Sequence, residues 1–346
     1  MKGILLMLLA LLFLPVQAQA SEFTAPSVPE SALGWMPGST DSFGEGLWEV
    51  AEKGLAALGP ELREGARLSL AAFAGAMLLS LLKALGGRAE ALAELTGSVI
   101  VGATLLAGSQ SLIRLGADTI RQLSEYGKLL LPVMTGALAC QGGVGTSTAL
   151  YAGTAVFDAL LGSLISRVLL PMVYLYLALA VACSALGEDT LKGMKELVKT
   201  FAAWCLKILL TVFTTYMAIT GVLSGTTDAA ALKATKVTIS TVVPVVGGIL
   251  SDASEAVLVS AGLAKNAAGL YGIFAILALF LSPFLKIGVH YLLLKLTAAL
   301  CAIFGSKSIT GLIGDFSTAM GLLLAMTGSV CLLLLISTVC FLKGVG

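Results

Sequence analysis

Charged side chains are scarce in this chain. Asp, Glu, Lys and Arg make up 12% of its 346 residues, whereas a soluble domain carries about 25%. Hydrophobic residues make up 58%, and after residue 66 they form long stretches separated by only a few polar residues. One soluble domain of this length cannot bury so much apolar surface. We therefore expect the lipid bilayer to act as the solvent for its outer face.

The chain also lacks the residues that common active sites require. His290 is its only histidine, which excludes an H-E-x-x-H zinc site, and neither G-x-S-x-G nor the phosphate-binding G-x-x-x-x-G-K-[ST] motif occurs. The six cysteines lie in apolar stretches without a C-x-x-C pair, which is typical of small hydrophobic residues rather than of disulfides or metal ligands. The net charge of +1 gives no electrostatic reason to bind nucleic acid. We expect no enzyme activity and no cofactor.

The first 20 residues have the three parts of a secretory signal peptide. Lys2 provides the positive start, residues 4–14 form an apolar stretch too short to span a bilayer, and Ala18-Gln19-Ala20 is a small-x-small cleavage site. Cleavage after Ala20 would leave Ser21 outside the cytoplasm. The alternative is an uncleaved membrane anchor.

Residues 21–66 predict an external segment. They are rich in Pro, Ser and Gly and then acidic, and their few basic residues suit an external position. Apolar residues spaced along the second half predict an amphipathic helix at the external surface of the membrane, with a flexible tail as the alternative. These residues are Leu47, Val50, Leu55, Leu58 and Leu62.

Residues 67–346 predict an all-α, polytopic transmembrane helical bundle with about eight spans. The apolar stretches cover residues 67–85, 92–113, 129–154, 155–186, 200–223, 237–263, 268–304 and 318–342. Lys83 and Arg88 place the first loop inside. Strict alternation would then put the basic residues of segment 114–128 outside, so either one stretch is re-entrant or this segment is an interfacial helix. Segment 188–199 predicts a second interfacial helix, on the cytoplasmic side.

Prolines indicate an internal repeat. The four prolines after Pro60 form two pairs, each separated by 112 residues, namely Pro132 with Pro244 and Pro171 with Pro283. The segments that begin at the first pair also match, since residues 132–138 read PVMTGAL and residues 244–250 read PVVGGIL. This pattern predicts the duplication of a unit near 90–198 and 202–316, a plan that many transporters share. Coincidence in a chain rich in Leu, Gly and Ala is the alternative.

Both proline blocks predict broken helices. Proline removes a helical hydrogen bond and glycine adds backbone freedom. The breaks are expected at Pro132 and Gly136 in the first block and at Pro244, Gly247 and Gly248 in the second.

Four polar residues follow the second break, namely Ser251, Asp252, Ser254 and Glu255. Carboxylates are costly inside a bilayer, and they normally face a polar cavity or a partner. The spacing of the two acids puts them on one helix face, so they predict a polar pathway or a subunit contact. The alternative is a capping box that restarts the helix after the glycines.

Residues 224–269, SGTTDAAALKATKVTISTVVPVVGGILSDASEAVLVSAGLAKNAAG, resemble the stage III sporulation protein AE family. The signal peptide, the short external segment and the polytopic remainder are compatible with that family over the whole chain. The resemblance implies a multi-pass protein of the mother-cell membrane, facing the forespore of an endospore-forming bacterium. Its implied partners are membrane lipid, the other stage III sporulation A proteins including an ATPase, and stage II sporulation protein Q. It implies no catalytic residues.

The sequence and the resemblance favour a permease-like or channel-forming subunit of the complex between mother cell and forespore. A non-conducting membrane scaffold of that complex is the second hypothesis, and an intramembrane enzyme that uses Asp252 is the third. Frequent small-x-x-x-small pairs are compatible with a homo-oligomer.

The mature protein is expected to begin at Ser21, on the external side, because the signal pattern is complete. N-terminal sequencing of protein purified from membranes checks this. A mature chain that begins at Met1 would contradict the signal peptide.

Replacing Asp252→Asn together with Glu255→Gln removes both charges and keeps part of the capping. If the two acids line a polar pathway, sporulation or transport falls while the amount of protein in the membrane stays normal. Normal function in the double variant would leave only the capping role.

Overall fold

The computed structural model describes residues 26–40, 42–83, 88–140, 144–186, 189–219, 267–303 and 307–344. Its helices, in chain order, are α1 (Glu30–Leu33), α2 (Phe43–Lys83), α3 (Arg88–Cys140), α4 (Val144–Leu164), α5 (Leu170–Leu186), α6 (Asp189–Ile219), α7 (Ala267–Ile303) and α8 (Lys307–Gly344). A π-helical segment, Ile165–Leu169, joins α4 to α5 without a break.

Six helical rods in the described ranges are long and apolar enough to cross a membrane. They cover Phe43–Leu82, Glu94–Ala139, Ser147–Leu186, Leu191–Ala218, Gly269–Ile303 and Lys307–Leu342. The prediction of a helical, multi-span membrane fold is confirmed, whereas the predicted number of about eight spans is not. The stretch 237–263 lies outside the described residues.

The charged segment 114–128 belongs to the middle of α3, so it neither interrupts the chain nor forms a helix of its own. Its charged residues all fall on one exposed face, where Arg121 pairs with Asp118 at 3.3 Å. The opposite face buries Leu123 and Tyr126 in the bundle. The 53 residues of α3 extend about 80 Å at a rise of about 1.5 Å per residue, much more than the hydrocarbon core of about 30 Å. One helix can therefore carry both an apolar span and a polar extension.

The predicted stretches 129–154 and 155–186 are divided differently in the structure. Helix α3 ends at Cys140, and a single rod runs from Val144 in α4 through the π-helical segment into α5. Pro171 lies two residues after this segment, and the N–H of Leu170 donates to the carbonyl of Ile165, five residues earlier. Proline has no N–H and its ring crowds the carbonyl four residues earlier, so a locally widened turn lets the helix continue.

The predicted external amphipathic helix is the first half of α2, and it continues into the first span through Pro60. It packs along α7, where Gly46 lies directly against the ring of Phe274. Residues 26–40 pack against this pair of helices and α3. The Gly38 N–H donates to Glu49 at 2.8 Å, Lys53 donates to the carbonyl of Met36, and Ser31 donates to Gln122 at 2.9 Å.

Helix α8 occupies the centre of the described bundle. It contacts α2, α3, α4, α5, α6 and α7. In its most apolar stretch of 18 residues, 94% is buried inside the bundle. Rods that follow one another in the described part of the chain alternate in direction. Contacts of Ser184 with Ser308 and of Thr154 with Ser337 place the α4–α5 rod antiparallel to α8. Tyr291 beside Ser317, and Gly269 beside Leu342, do the same for α7.

The two ends of the bundle differ in charge. At one end of the bundle, α2, α5 and α7 finish and α3, α6 and α8 start, and we call this the basic end. The sequence places several basic residues there, namely Lys83, Arg88, Lys192, Lys195, Lys199 and Lys307. The positive-inside rule predicts that the basic end faces the cytoplasm. Helix α6 finishes and α7 starts at the opposite end of the bundle.

Single cysteines introduced at the two ends are expected to react with a membrane-impermeant maleimide from opposite sides. Lys307→Cys should react from the cytoplasmic side and Ser31→Cys from the external side, since both positions are exposed. The unmodified protein is the background control, because Cys183, Cys301, Cys331 and Cys340 are buried. Labelling of both positions from one side would contradict the arrangement of the rods across the membrane.

Candidate functional site

A buried ion pair lies near the basic end of the bundle. Lys195 of α6 and Asp315 of α8 approach to 2.6 Å, and their side chains are only 13% and 14% exposed. Tyr176 of α5 donates its hydroxyl to the other carboxylate oxygen of Asp315 at 2.9 Å. Both oxygens of Asp315 therefore have a partner, which offsets part of the cost of taking a charged pair out of water.

The ion pair borders a polar cavity of about 510 Å³. The cavity lies between α3, α5, α6 and α8, with one lining residue, Glu94, from α3. Its charged lining residues are Glu94, Lys192, Lys195, Lys307 and Asp315. The remaining described lining residues are small, polar or aliphatic: Ala180, Cys183, Ser184, Ala185, Leu186, Ser308, Gly311 and Leu312. This collection of charges is unusual for a bundle whose other interior surfaces are mostly apolar.

Three serines join the helices at the wall of this cavity. Ser98 of α3 and Ser308 of α8 both donate to the backbone carbonyl of Ser184, at 3.2 and 2.5 Å. The hydroxyl of Ser184 lies 3.0 Å from that of Ser98 and 2.9 Å from that of Ser308. Because Ser184 is in the last turn of α5, these bonds satisfy a carbonyl that the end of the helix leaves without an intrahelical partner.

The volume of the cavity is large enough for a small solute. Beyond it, the axis of the described bundle is filled by the buried apolar residues of α8, from Ala319 to Leu342. Within the described ranges, no three His, Cys, Asp or Glu side chains come together as a metal site requires. The described lining of the cavity offers charged and hydrogen-bonding groups.

The predicted site residues Ser251, Asp252, Ser254 and Glu255 lie outside the described residues, as do the predicted breaks at Pro244, Gly247 and Gly248. Pro132 and Gly136 lie inside α3, which is helical through both positions. The predicted structural likeness of the two proline blocks therefore stays a prediction. Pro171 and Pro283 are both in helices that run antiparallel to α8.

Residues 189–199 of the predicted interfacial segment form the start of α6, and the faces of this helix are oriented differently from the prediction. The sequence pattern places apolar residues opposite the three lysines and predicts that the apolar face lies on the membrane surface. In the structure, Lys195 points into the bundle while Met194 and Leu197 are more than half exposed. The ion pair with Asp315 of α8 decides this orientation. The feature of the sequence that could have indicated this pairing is that Asp315 is the only acidic residue in α8.

Other charges that the sequence placed among apolar stretches also have partners. Asp158 accepts a hydrogen bond from Ser124 at 3.0 Å. Lys286 pairs with Glu64 of α2 at 2.8 Å. His290 is buried, and its ring nitrogen Nδ1 lies 2.8 Å from the carbonyl of Lys286 in the same helix.

Comparison with known proteins agrees with the helical organisation. The family model described as Stage III sporulation protein AE matches residues 42–344, which contain every long helix of the structure. A Bacillus subtilis (strain 168) relative, Stage III sporulation protein AE, is 22% identical over 188 residues. The match covers 54% of this chain and 47% of the relative, so it spans about half the length of that protein.

No solved structure matches the chain. The assignment therefore depends on the family model, which extends over all the membrane-spanning rods of the bundle. On this ground the chain belongs to the stage III sporulation protein AE family.

Proposed function

We propose that this protein is a permease-like membrane subunit of the complex between mother cell and forespore, and that it accepts a polar solute at its cytoplasmic end. The observation that carries the proposal is the cavity lined by Lys195 and Asp315, whose carboxylate also accepts a hydrogen bond from Tyr176. Ionisable residues within membrane-spanning helices commonly mark the path of a solute or ion. The basic end faces the cytoplasm under the positive-inside rule, which gives the direction of entry.

Stability alone is a weak explanation for the buried pair. Replacing a buried ion pair by apolar residues of similar size is often neutral or even stabilising. Lys195 and Asp315 join α6 to the central helix at a place where apolar packing would serve as well. Their position beside a solute-sized cavity supports a role in transport.

Membership of the family supports the wider setting. We propose the mother-cell membrane as the location and the other stage III sporulation A proteins and stage II sporulation protein Q as partners. The charged face of α3 is exposed and lies away from the basic end. Such a face suits contact with a protein outside the hydrocarbon core better than contact with lipid.

A non-conducting scaffold is the second candidate, and the burial of α8 favours it. The axis of the described bundle is closed by packed side chains, so a solute would have to pass beside α8 or between copies of the chain. A scaffold needs the helices to be rigid and does not need the cavity.

Neutralising the ion pair separates the two candidates. Asp315→Asn alone leaves the Lys195 charge buried without its counterion, and we expect a loss of stability of about 3–5 kcal/mol. Lys195→Met combined with Asp315→Asn should restore most of that stability, since the amide oxygen still accepts from Tyr176. Thermal unfolding of the purified protein in detergent measures both effects.

The double variant should then be present in the membrane at normal amounts and fail to support sporulation. Swelling of proteoliposomes in a charged solute such as glutamate and in sucrose measures conduction directly. Lys199→Met with Glu196→Gln removes a surface pair of the same helix, 2.9 Å apart, and is the matched control. Normal sporulation by the stable Lys195/Asp315 double variant would favour the scaffold.

A further inference from the structure

We infer that Asp158 of α4, together with Ser124 of α3, forms a proton-binding site inside the bundle. Neither residue lines the cavity at the basic end. In the permease-like function proposed above, such a site would link the movement of a solute to that of a proton, and this link rests on the proposed function. Proton binding itself does not require conduction, so the two proposals can fail separately.

Asp158 is a buried acid with little to compensate its charge. It belongs to a membrane-spanning rod and is only 5% exposed. The hydroxyl of Ser124 donates to its Oδ1 at 3.0 Å. Among the ion pairs of the described ranges none includes Asp158, whereas Asp315 is paired with Lys195 at 2.6 Å. Asp158 therefore has a hydroxyl where Asp315 has a cation.

The helices packed around Asp158 bring few charges to it. In the described bundle, Lys128 of α3 is the charged group whose field reaches this acid. Because Lys128 is exposed, its surroundings weaken the attraction. Helix α6 packs here with the rings of Phe213 and Tyr216, and α8 contributes the hydroxyl of Ser337.

Binding a proton removes the cost of burying this group as a charge. An ionised carboxylate loses its hydration in an apolar interior, and a single hydroxyl donor replaces only part of it. The carboxylic acid has no charge, and its own O–H can donate a hydrogen bond. Acidic residues within membrane-spanning helices commonly belong to proton relays.

Ser124 gives the proton a route to Asp158. It is half-buried and lies between the buried acid and the exposed charged face of α3, with Arg121 and Lys128 one turn to either side. Its hydroxyl can donate its proton to the carboxylate while its oxygen accepts another from a hydronium ion at that face. The serine is then unchanged, Asp158 is a neutral acid and a water molecule remains.

The site lies where three rods meet. A Cβ atom on Gly162 would lie 3.6 Å from the Oγ of Ser124, so α4 approaches α3 closely here. One turn before Asp158, Thr154 donates to Ser337 of α8 at 3.0 Å. The π-helical segment follows in the same rod, and π-helical turns are frequent at functional sites. A charge gained or lost at Asp158 therefore acts on the contact between this rod and α3, one turn from its contact with the central helix.

Dicyclohexylcarbodiimide tests the site, because this apolar reagent reacts with carboxylic acids in their protonated form. The full chain in phosphatidylcholine nanodiscs is treated at a series of pH values, digested and mapped by mass spectrometry. Asp158 should be labelled, and the labelling should decrease as the pH rises. Asp118 is the matched control, because it is an exposed acid of α3 that pairs with Arg121 at 3.3 Å, and it should stay unlabelled.

Two variants test the geometry of the site. Ser124→Ala removes the donor that stabilises the carboxylate, so the labelling of Asp158 should persist to a higher pH than in the unmodified protein. Asp158→Asn keeps the shape of the side chain without an acid and should lose this label, which identifies the reacting group.

Absence of labelling at Asp158, labelling that does not change with pH, or equal labelling of Asp118 overturns the inference. Protection of Asp158 by sodium ions at constant pH would also overturn it, because the ligand would then be an alkali cation. Flux of glutamate into proteoliposomes is measured with and without a pH gradient. Flux that ignores the gradient, with Asp158 still labelled in a pH-dependent way, would overturn only the link to the permease-like function.

Discussion

The enclosure of α8 by the other rods is the constraint on which the rest of this bundle depends. The helix is surrounded by α3, α4, α5, α6 and α7 and is buried along nearly all of its apolar length. Lipid is as apolar as a leucine side chain, so helices in a bilayer gain little from the hydrophobic effect and associate through close packing. That packing is visible where Gly153 lies against Tyr216, and where Gly108 lies against Leu68.

Burial of α8 also determines how its polar residues are accommodated. Thr327, Ser329, Ser337 and Thr338 each donate to a carbonyl four residues earlier in the same helix. Hydroxyls that are satisfied within their own helix add little cost in an apolar interior and leave the surface of α8 free to pack. Asp315 cannot be satisfied in this way because it needs a donor from elsewhere. It lies near the start of α8, where α5 and α6 provide Tyr176 and Lys195.

The enclosure of α8 has different consequences for the permease-like and the scaffold hypotheses. A buried central helix closes the axis of the described bundle, while the cavity with charged lining residues lies at one end beside the start of that helix. Within this part of the chain, a permease-like mechanism requires the rods around α8 to move relative to it. A scaffold would keep them fixed. The buried pair between α6 and α8 is the contact at which these two mechanisms differ most, because it joins an outer rod to the axis.

The sequence by itself determined the membrane class, the helical fold and the family, because composition, apolar length and local motifs are properties of consecutive residues. It also shows which segments are basic, from which the positive-inside rule predicts the orientation. It did not determine the number of rods, since the charged residues of 114–128 repeat at helical spacing and can continue a helix whose other face packs on a partner. Only the tertiary structure decided that Lys195 meets Asp315, 120 residues away, and that Tyr176 meets it from 139 residues away. Such a meeting depends on which helices become neighbours around α8, and no local pattern in the chain specifies that.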